Sequence, residues 1–238
     1  MAGGHYVALS GMRTRLDELD RLANDIANVG TAGYKAERTG QRNAPRPVFD
    51  DALETAIDAS TGGRRLDARP GAIEPTGRSL DLAIEGQGFL VVDTPAGVRY
   101  TRNGHLNRAD DGSLMTADGA VVRGVDGPIA VGTGTVTVEN DGTVYSDGAV
   151  VGRLAVVQFA DPGALVRESG ALLRAEETPT PVAAPTVRTG SLEQANVSIV
   201  DRVAELTSVN RSFQALQKAV SVLMNDVDGR AIESLGRR

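Results

Sequence analysis

Leu9-Ser10-Gly11-Met12-Arg13-Thr14-Arg15-Leu16-Asp17-Glu18-Leu19-Asp20-Arg21-Leu22-Ala23-Asn24-Asp25-Ile26 is the stretch on which the fold turns. Leu9, Met12, Leu16, Leu19, Ala23 and Ile26 recur at alternating steps of three and four, the a/d spacing of a coiled-coil seam. Asn28, Gly30 and Gly33 are poor helix residues, so the spacing predicts a helix over about residues 5 to 29. Working outward to the far end, Ile199, Val203, Leu206, Asn210, Phe213, Gln217, Val220, Met224 and Val227 repeat the pattern, with Leu216 and Leu223 widening the stripe. Asn210 and Gln217 are polar interruptions of the kind that sets register at a cost in stability. Two starts compete for this second helix. Ser191 with Gln194 has the capping-box form, and Ser198 with Asp201 is a weaker version of it. A start near Asn196 is expected.

Between the two ends the period changes to two. Leu80, Leu82 and Ile84 alternate with Asp81, Ala83 and Glu85, while Val98 and Tyr100, then Val136 and Val138, alternate with polar neighbours. These read as strands, and 88–92 and 154–159 as more fully buried ones. Asp111-Gly112, Asp118-Gly119, Asp126-Gly127, Asp141-Gly142 and Asp147-Gly148 punctuate them, each pair supplying the positive φ of a hairpin turn. The expected fold class is therefore mixed α and β. Long N- and C-terminal helices pair as a coiled-coil-like domain around an inserted antiparallel β domain. The expected divisions are an N-terminal helical part, 1–34, and a connector, 35–75, with a short helix around Phe49 to Asp58. An antiparallel β domain, 76–175, a Pro-rich tether, 176–190, and a C-terminal helical part, 191–238, follow.

Composition narrows the function classes. The chain of 238 residues is 41% hydrophobic but only 3% aromatic, with no Trp, so its core must be built from aliphatic side chains. A net charge of -6 with no basic run argues against nucleic-acid binding, which needs a surplus of cations on one face. The lack of Cys removes thiolate nucleophiles and Cys-type zinc sites. Residues 1–19 carry Arg13, Arg15, Asp17 and Glu18, which break the apolar run a secretory signal needs, and no stretch is apolar enough to span a membrane.

No catalytic residue, cofactor site or metal site is expected. His5 and His105 fall in different expected domains, and a metal centre or triad needs converging ligands or an oriented base. Asp110-Asp111-Gly112 and Glu139-Asn140-Asp141-Gly142 lack the EF-hand ligand pattern and read as hairpin turns. Gly86-Gln87-Gly88 begins a dinucleotide-like pattern that no third Gly completes. Arg13, Asp17, Glu18, Asp20 and Arg21 lie off the seam and read as a solvated helix face, with pairing between subunits as the sharper alternative.

Four strings in order resemble a known family, the axial proteins of the bacterial flagellum that include its rod and hook subunits. The first is Leu19-Asp20-Arg21-Leu22-Ala23-Asn24-Asp25-Ile26-Ala27-Asn28-Val29-Gly30-Thr31-Ala32-Gly33-Tyr34-Lys35, which departs from the usual pattern at Asp25 and Gly30. Thr76-Gly77-Arg78-Ser79-Leu80-Asp81-Leu82-Ala83-Ile84-Glu85-Gly86-Gln87-Gly88-Phe89, then Tyr100-Thr101-Arg102-Asn103-Gly104, then Gly190-Ser191-Leu192-Glu193-Gln194-Ala195-Asn196-Val197 complete the set. Tyr6-Val7-Ala8-Leu9-Ser10-Gly11 and the ending Asn225-Asp226-Val227-Asp228-Gly229-Arg230-Ala231-Ile232 resemble the proximal-rod type more than the distal-rod type.

The resemblance implies a structural subunit of the basal-body rod, in the periplasmic space, exported through the flagellar type III apparatus without a cleaved signal. Its partners would be copies of itself and other rod subunits. The expected assembly interface is the two seams: Leu9, Met12, Leu16, Leu19, Ala23 and Ile26 with Ile199, Val203, Leu206, Asn210, Phe213, Gln217, Val220, Met224 and Val227. Two other classes compete. An adhesive or carbohydrate-binding β domain with oligomerising helices would want clustered aromatics, which are scarce. A hydrolase acting on the cell wall would want a paired-carboxylate motif, which is absent.

Overall fold

The computed structural model describes the backbone of residues 2–39 and 64–235, and the side chains of residues 9–38 and 64–222. The short helix expected around Phe49 to Asp58 lies outside the described residues. Two compact units divide the chain: one holds residues 1–26, 39–64 and 198–238, the other residues 27–38 and 65–197.

In the second unit all five Asp-Gly glycines have positive φ, from 79° at Gly119 to 127° at Gly127, so each turn closes where the sequence placed it. The largest sheet is antiparallel and runs in the order Val166–Ser169, Leu172–Arg174, Gly97–Thr101, Phe89–Thr94, Val121–Gly124, Leu114–Thr116, Leu106–Arg108. Its strand Phe89–Thr94 is apolar on both faces and is buried on both. Leu90 and Val92 enter a core with Leu82, Leu106, Leu114 and Val144. Phe89 and Val91 enter a second core with Tyr100, Val157, Phe159 and Leu173. Val156 and Val157 divide between the same two cores, as period-two alternation requires. The second core is edged by aromatic contacts: Phe159 meets Phe89 at 5.9 Å and Tyr100 at 4.9 Å between ring centroids, both edge-on.

The first unit contains α1 (Ala2–Ala27) and most of α2 (Ile199–Leu235), the two α-helices among the described residues. α2 starts at the weaker of the two caps. Ser198 Oγ accepts from the Asp201 amide at 3.4 Å, and the Ser198 carbonyl takes the first helical bond from Arg202 at 3.0 Å. Ser191 cannot cap because Ser191–Glu193 is a strand paired with Ile73–Pro75.

Three findings correct the expected fold class. The described chain is mostly β-sheet, with strands from Glu37–Thr39 to Ser191–Glu193, and is not organised as long paired helices around an inserted β domain. Strands occupy the segments read as linkers. Ile73–Pro75 lies in the expected connector, and Thr186–Thr189, in the expected tether, pairs along Leu82–Glu85 with Val187 opposite Ile84. Val187 is 1% exposed, and its burial explains why a Pro- and Thr-rich stretch becomes sheet. The apolar seams of the helices are also only partly covered. Leu9, Leu16, Ile199 and Val203 remain 47 to 58% exposed, while Arg21 and Asp25 are buried. The buried residues of α1, Arg21, Leu22 and Asp25, all lie off the seam, and two of the three are charged.

Candidate functional site

The β unit holds the chain segments leading to both helices in one buried ionic knot. Glu193, 1% exposed, is its centre: its carboxylate pairs with Lys35 Nζ, with Arg102 at 3.1 Å, and accepts the Gly71 amide at 2.9 Å. Lys35 Nζ also donates to the Arg69 carbonyl at 2.9 Å, and Arg102 donates to the carbonyls of Ile84 at 3.0 Å and Gly86 at 2.6 Å. Two buried cations thus share one carboxylate. Burial pulls the Lys35 ammonium below its ordinary pKa, with Glu193 opposing that shift.

Asn196 binds the same segments through its amide. Its Oδ1 accepts from the Ala36 amide at 2.7 Å, and its Nδ2 donates to the carbonyls of Asp67 at 2.7 Å and Arg69 at 3.0 Å. The Gly33 amide donates to the Glu193 carbonyl at 2.7 Å. Arg167 lies over the Tyr34 ring, 4.0 Å from its centroid, bonds the Lys35 carbonyl and pairs with Glu37 at 3.2 Å. Residues 33–37 and 193–196 are therefore bound side by side.

Two glycines make this approach close enough. Gly33 has φ +68°, and a Cβ there would stand 2.2 Å from the Arg102 carbonyl carbon. A Cβ at Gly104 would stand 1.8 Å from the Leu82 carbonyl oxygen. Neither position has room for a side chain. All four strings that carried the family resemblance meet here: Gly33 and Lys35, Ile84 and Gly86, Arg102, and Glu193 with Asn196. The sequence showed these residues without showing that they touch, because pairs such as Lys35 and Glu193 are 158 positions apart.

The helical unit contains the expected interface residues. Leu9, Leu16, Ala23, Ile199, Val203, Asn210 and Gln217 are exposed, whereas Met12, Leu19, Ile26, Leu206, Phe213 and Val220 are half-buried. The side chains of Met224 and Val227 lie outside the described residues. Leu22 and Val209, which were not assigned to the interface, are buried. Arg21, expected on a solvated face, is buried too and pairs with Glu205 at 3.2 Å; Asp20 and Asp17 are exposed. The signal for Arg21 was its opposite-charge partner four residues on, Asp25, 3.7 Å away.

Among the described residues no group of three or more His, Cys, Asp or Glu side chains is placed to hold a metal ion. His105 Nδ1 lies 2.9 Å from Asp81 Oδ1, which Arg78 also binds at 2.6 Å. The calcium-like turns are Asx turns: Asp111 caps Ser113 and Asp141 caps Thr143, each accepting the backbone amide at 2.9 Å. No described helix is long and apolar enough to cross a membrane.

The comparisons with known proteins agree with this geometry. Residues 83–146 match the flagellar hook protein FlgE/F/G D1 domain, and residues 188–225 match the flagellar basal body rod FlgEFG protein C-terminal family. The chain is 34% identical to the flagellar basal-body rod protein FlgF of Caulobacter vibrioides, over 98% of this chain and 97% of the relative. It is 32% identical to FlgF of Salmonella typhimurium, over 97% of each. Similarity to the flagellar basal-body rod protein FlgG of Bacillus subtilis is lower, 29% over 91% of this chain and 93% of that protein.

Proposed function

We propose, because this chain belongs to the family of flagellar basal-body rod proteins, that its work is mechanical. It is a structural rod subunit of the basal body, and FlgF-type relatives match it better than FlgG-type ones. Copies of the chain and of related rod subunits associate through the exposed seams of α1 and α2 in an open, heterologous contact, which makes a filament and not a closed ring. The rod forms in the periplasmic space, and the flagellar type III apparatus exports the subunit to it.

One observation carries this reading: the apolar seam residues Leu9, Leu16, Ile199 and Val203 stay 47 to 58% exposed in a chain whose β unit buries its aliphatic residues on both faces of a strand. Exposed apolar stripes of this length mark surfaces made to be covered. The ionic knot supports the mechanical part. It ties residues 33–37 to residues 193–196 through Glu193 and Asn196.

The test is sedimentation velocity of the full chain at rising concentration beside a variant with Leu9, Leu16, Ile199 and Val203 all changed to Gln. The wild type should form large species and the variant should stay monomeric with unchanged β-unit amide protection. Equal assembly by both would refute the seams as the interface.

A further inference from the structure

Four charges between α1 and α2 form a closed ring. Arg21 lies 3.7 Å from Asp25 and 3.2 Å from Glu205; Arg202 lies 3.3 Å from Asp25 and 2.6 Å from Glu205. Each charge therefore touches two of opposite sign. The Arg21 and Asp25 side chains are 5% and 1% exposed, Arg202 is 17% exposed, and Glu205 forms the outer edge at 39%. Position numbers rise along α1 as they fall along α2: Asp25 meets Arg202, Arg21 meets Glu205, and a Cβ at Gly11 would lie 3.7 Å from Leu216 Cδ1. The two helices are antiparallel where they touch.

We infer that Arg21, Asp25, Arg202 and Glu205 are positioning residues for assembly: the ring dictates the direction and register in which α1 and α2 lie, and so fixes the stagger of the apolar seams offered to neighbouring subunits. The argument is one of exclusion. Turning either helix end for end places Arg21 beside Arg202 and Asp25 beside Glu205. Slipping by one turn in one direction places Asp25 beside Glu205, and in the other places Arg21 beside Arg202. Each wrong arrangement brings like charges together beside the buried Arg21 and Asp25, where screening is reduced. Apolar contacts discriminate poorly between such slips, because a stripe with a repeat of three and four residues matches itself after each turn. The charges supply what the stripe lacks.

This inference rests on the rod-subunit reading, and the experiment separates the two. In the full chain, the α1 pair is inverted (Arg21→Glu with Asp25→Arg), then the α2 pair is inverted as well (Arg202→Glu with Glu205→Arg). Net charge and the opposite-sign pair within each helix are preserved in every variant, so only the sign across the helices changes. Amide exchange of α1 and sedimentation at rising concentration are the readouts. The half-inverted chain should lose α1 protection about tenfold or more and fail to assemble, and the fully inverted chain should regain both. Unchanged protection in the half-inverted chain, or loss that full inversion does not restore, overturns the inference. If the wild type shows the ring-dependent protection but forms no large species, the ring's control of register stands and the assembly reading fails.

Discussion

The β unit and the helical unit treat the same kind of sequence signal in opposite ways. Along Phe89–Thr94, apolar residues on alternate faces are buried in two separate cores. Along α1 and α2, seam residues at equally regular spacing are half-buried or, as at Leu9, Leu16, Ile199 and Val203, exposed, while the buried positions are Arg21, Leu22, Asp25 and Val209. Periodicity reports which residues share a face. It does not report what that face meets. The units also differ in how they use buried charge: in the β unit two cations surround one carboxylate at the centre of a closed interior, whereas the helical ring is balanced and open at Glu205.

The largest expected effect breaks the β side of this contrast. Glu193→Gln removes the carboxylate bonded to both Lys35 and Arg102 and leaves two buried cations without their shared counter-charge. Breaking a buried pair from one side costs about 3 to 5 kcal/mol. Urea unfolding followed at the β unit should show a loss of that size. A loss below about 1 kcal/mol would mean that water already reaches the knot and that it does not bind the two segments.

The next prediction sharpens the comparison by making one substitution in both units. Leu114→Ala opens a cavity in a fully buried site and should cost about 2 to 5 kcal/mol. Leu16→Ala, at a position 47% exposed, should change monomer stability by no more than about 0.5 kcal/mol while weakening assembly. If the two substitutions destabilise the monomer equally, the seam is part of the chain's own core and the proposed interface is wrong.

Much of the β unit was legible in advance because its signals are local. Asp-Gly pairs need positive φ whatever surrounds them, and the alternation at Leu82 to Glu85 and Val98 to Tyr100 is short range. The helix spans were legible for the same reason. The strand at Thr186–Thr189 was not, since its composition suits an extended tether and only pairing with a strand a hundred residues earlier makes it sheet. The Ser191 cap failed because Ser191–Glu193 pairs with Ile73–Pro75 as a strand, a competing demand that no local pattern reveals. The burial of Arg21, expected on a solvated face of α1, was not legible from the apolar stripe. Arg21, Asp25, Arg202 and Glu205 carried a different signal, opposite charges spaced four and three apart on two helices, which becomes decisive only once the helices are known to run antiparallel.

The smallest effect concerns pH and belongs to the β unit's ionic knot. Burial lowers the Lys35 pKa in the folded chain, whereas in the unfolded chain it stays near about 10.4. Between the folded and unfolded values the unfolded chain binds more protons at this site, so stability rises with pH through that window and is lost as pH falls below it. One proton contributes at most about 1.4 kcal/mol per pH unit. Tyr100 and Tyr145 act oppositely: burial raises both, so above about 10 the unfolded chain sheds their protons first and stability declines. Urea midpoints measured from pH 7 to just below 10 should therefore climb in the wild type. Lys35→Met should abolish that slope at little cost in stability, because Glu193 keeps Arg102 and the Gly71 amide as partners. An identical slope in the variant would show that the rise comes from another group and that Lys35 enters the knot without a proton-linked cost.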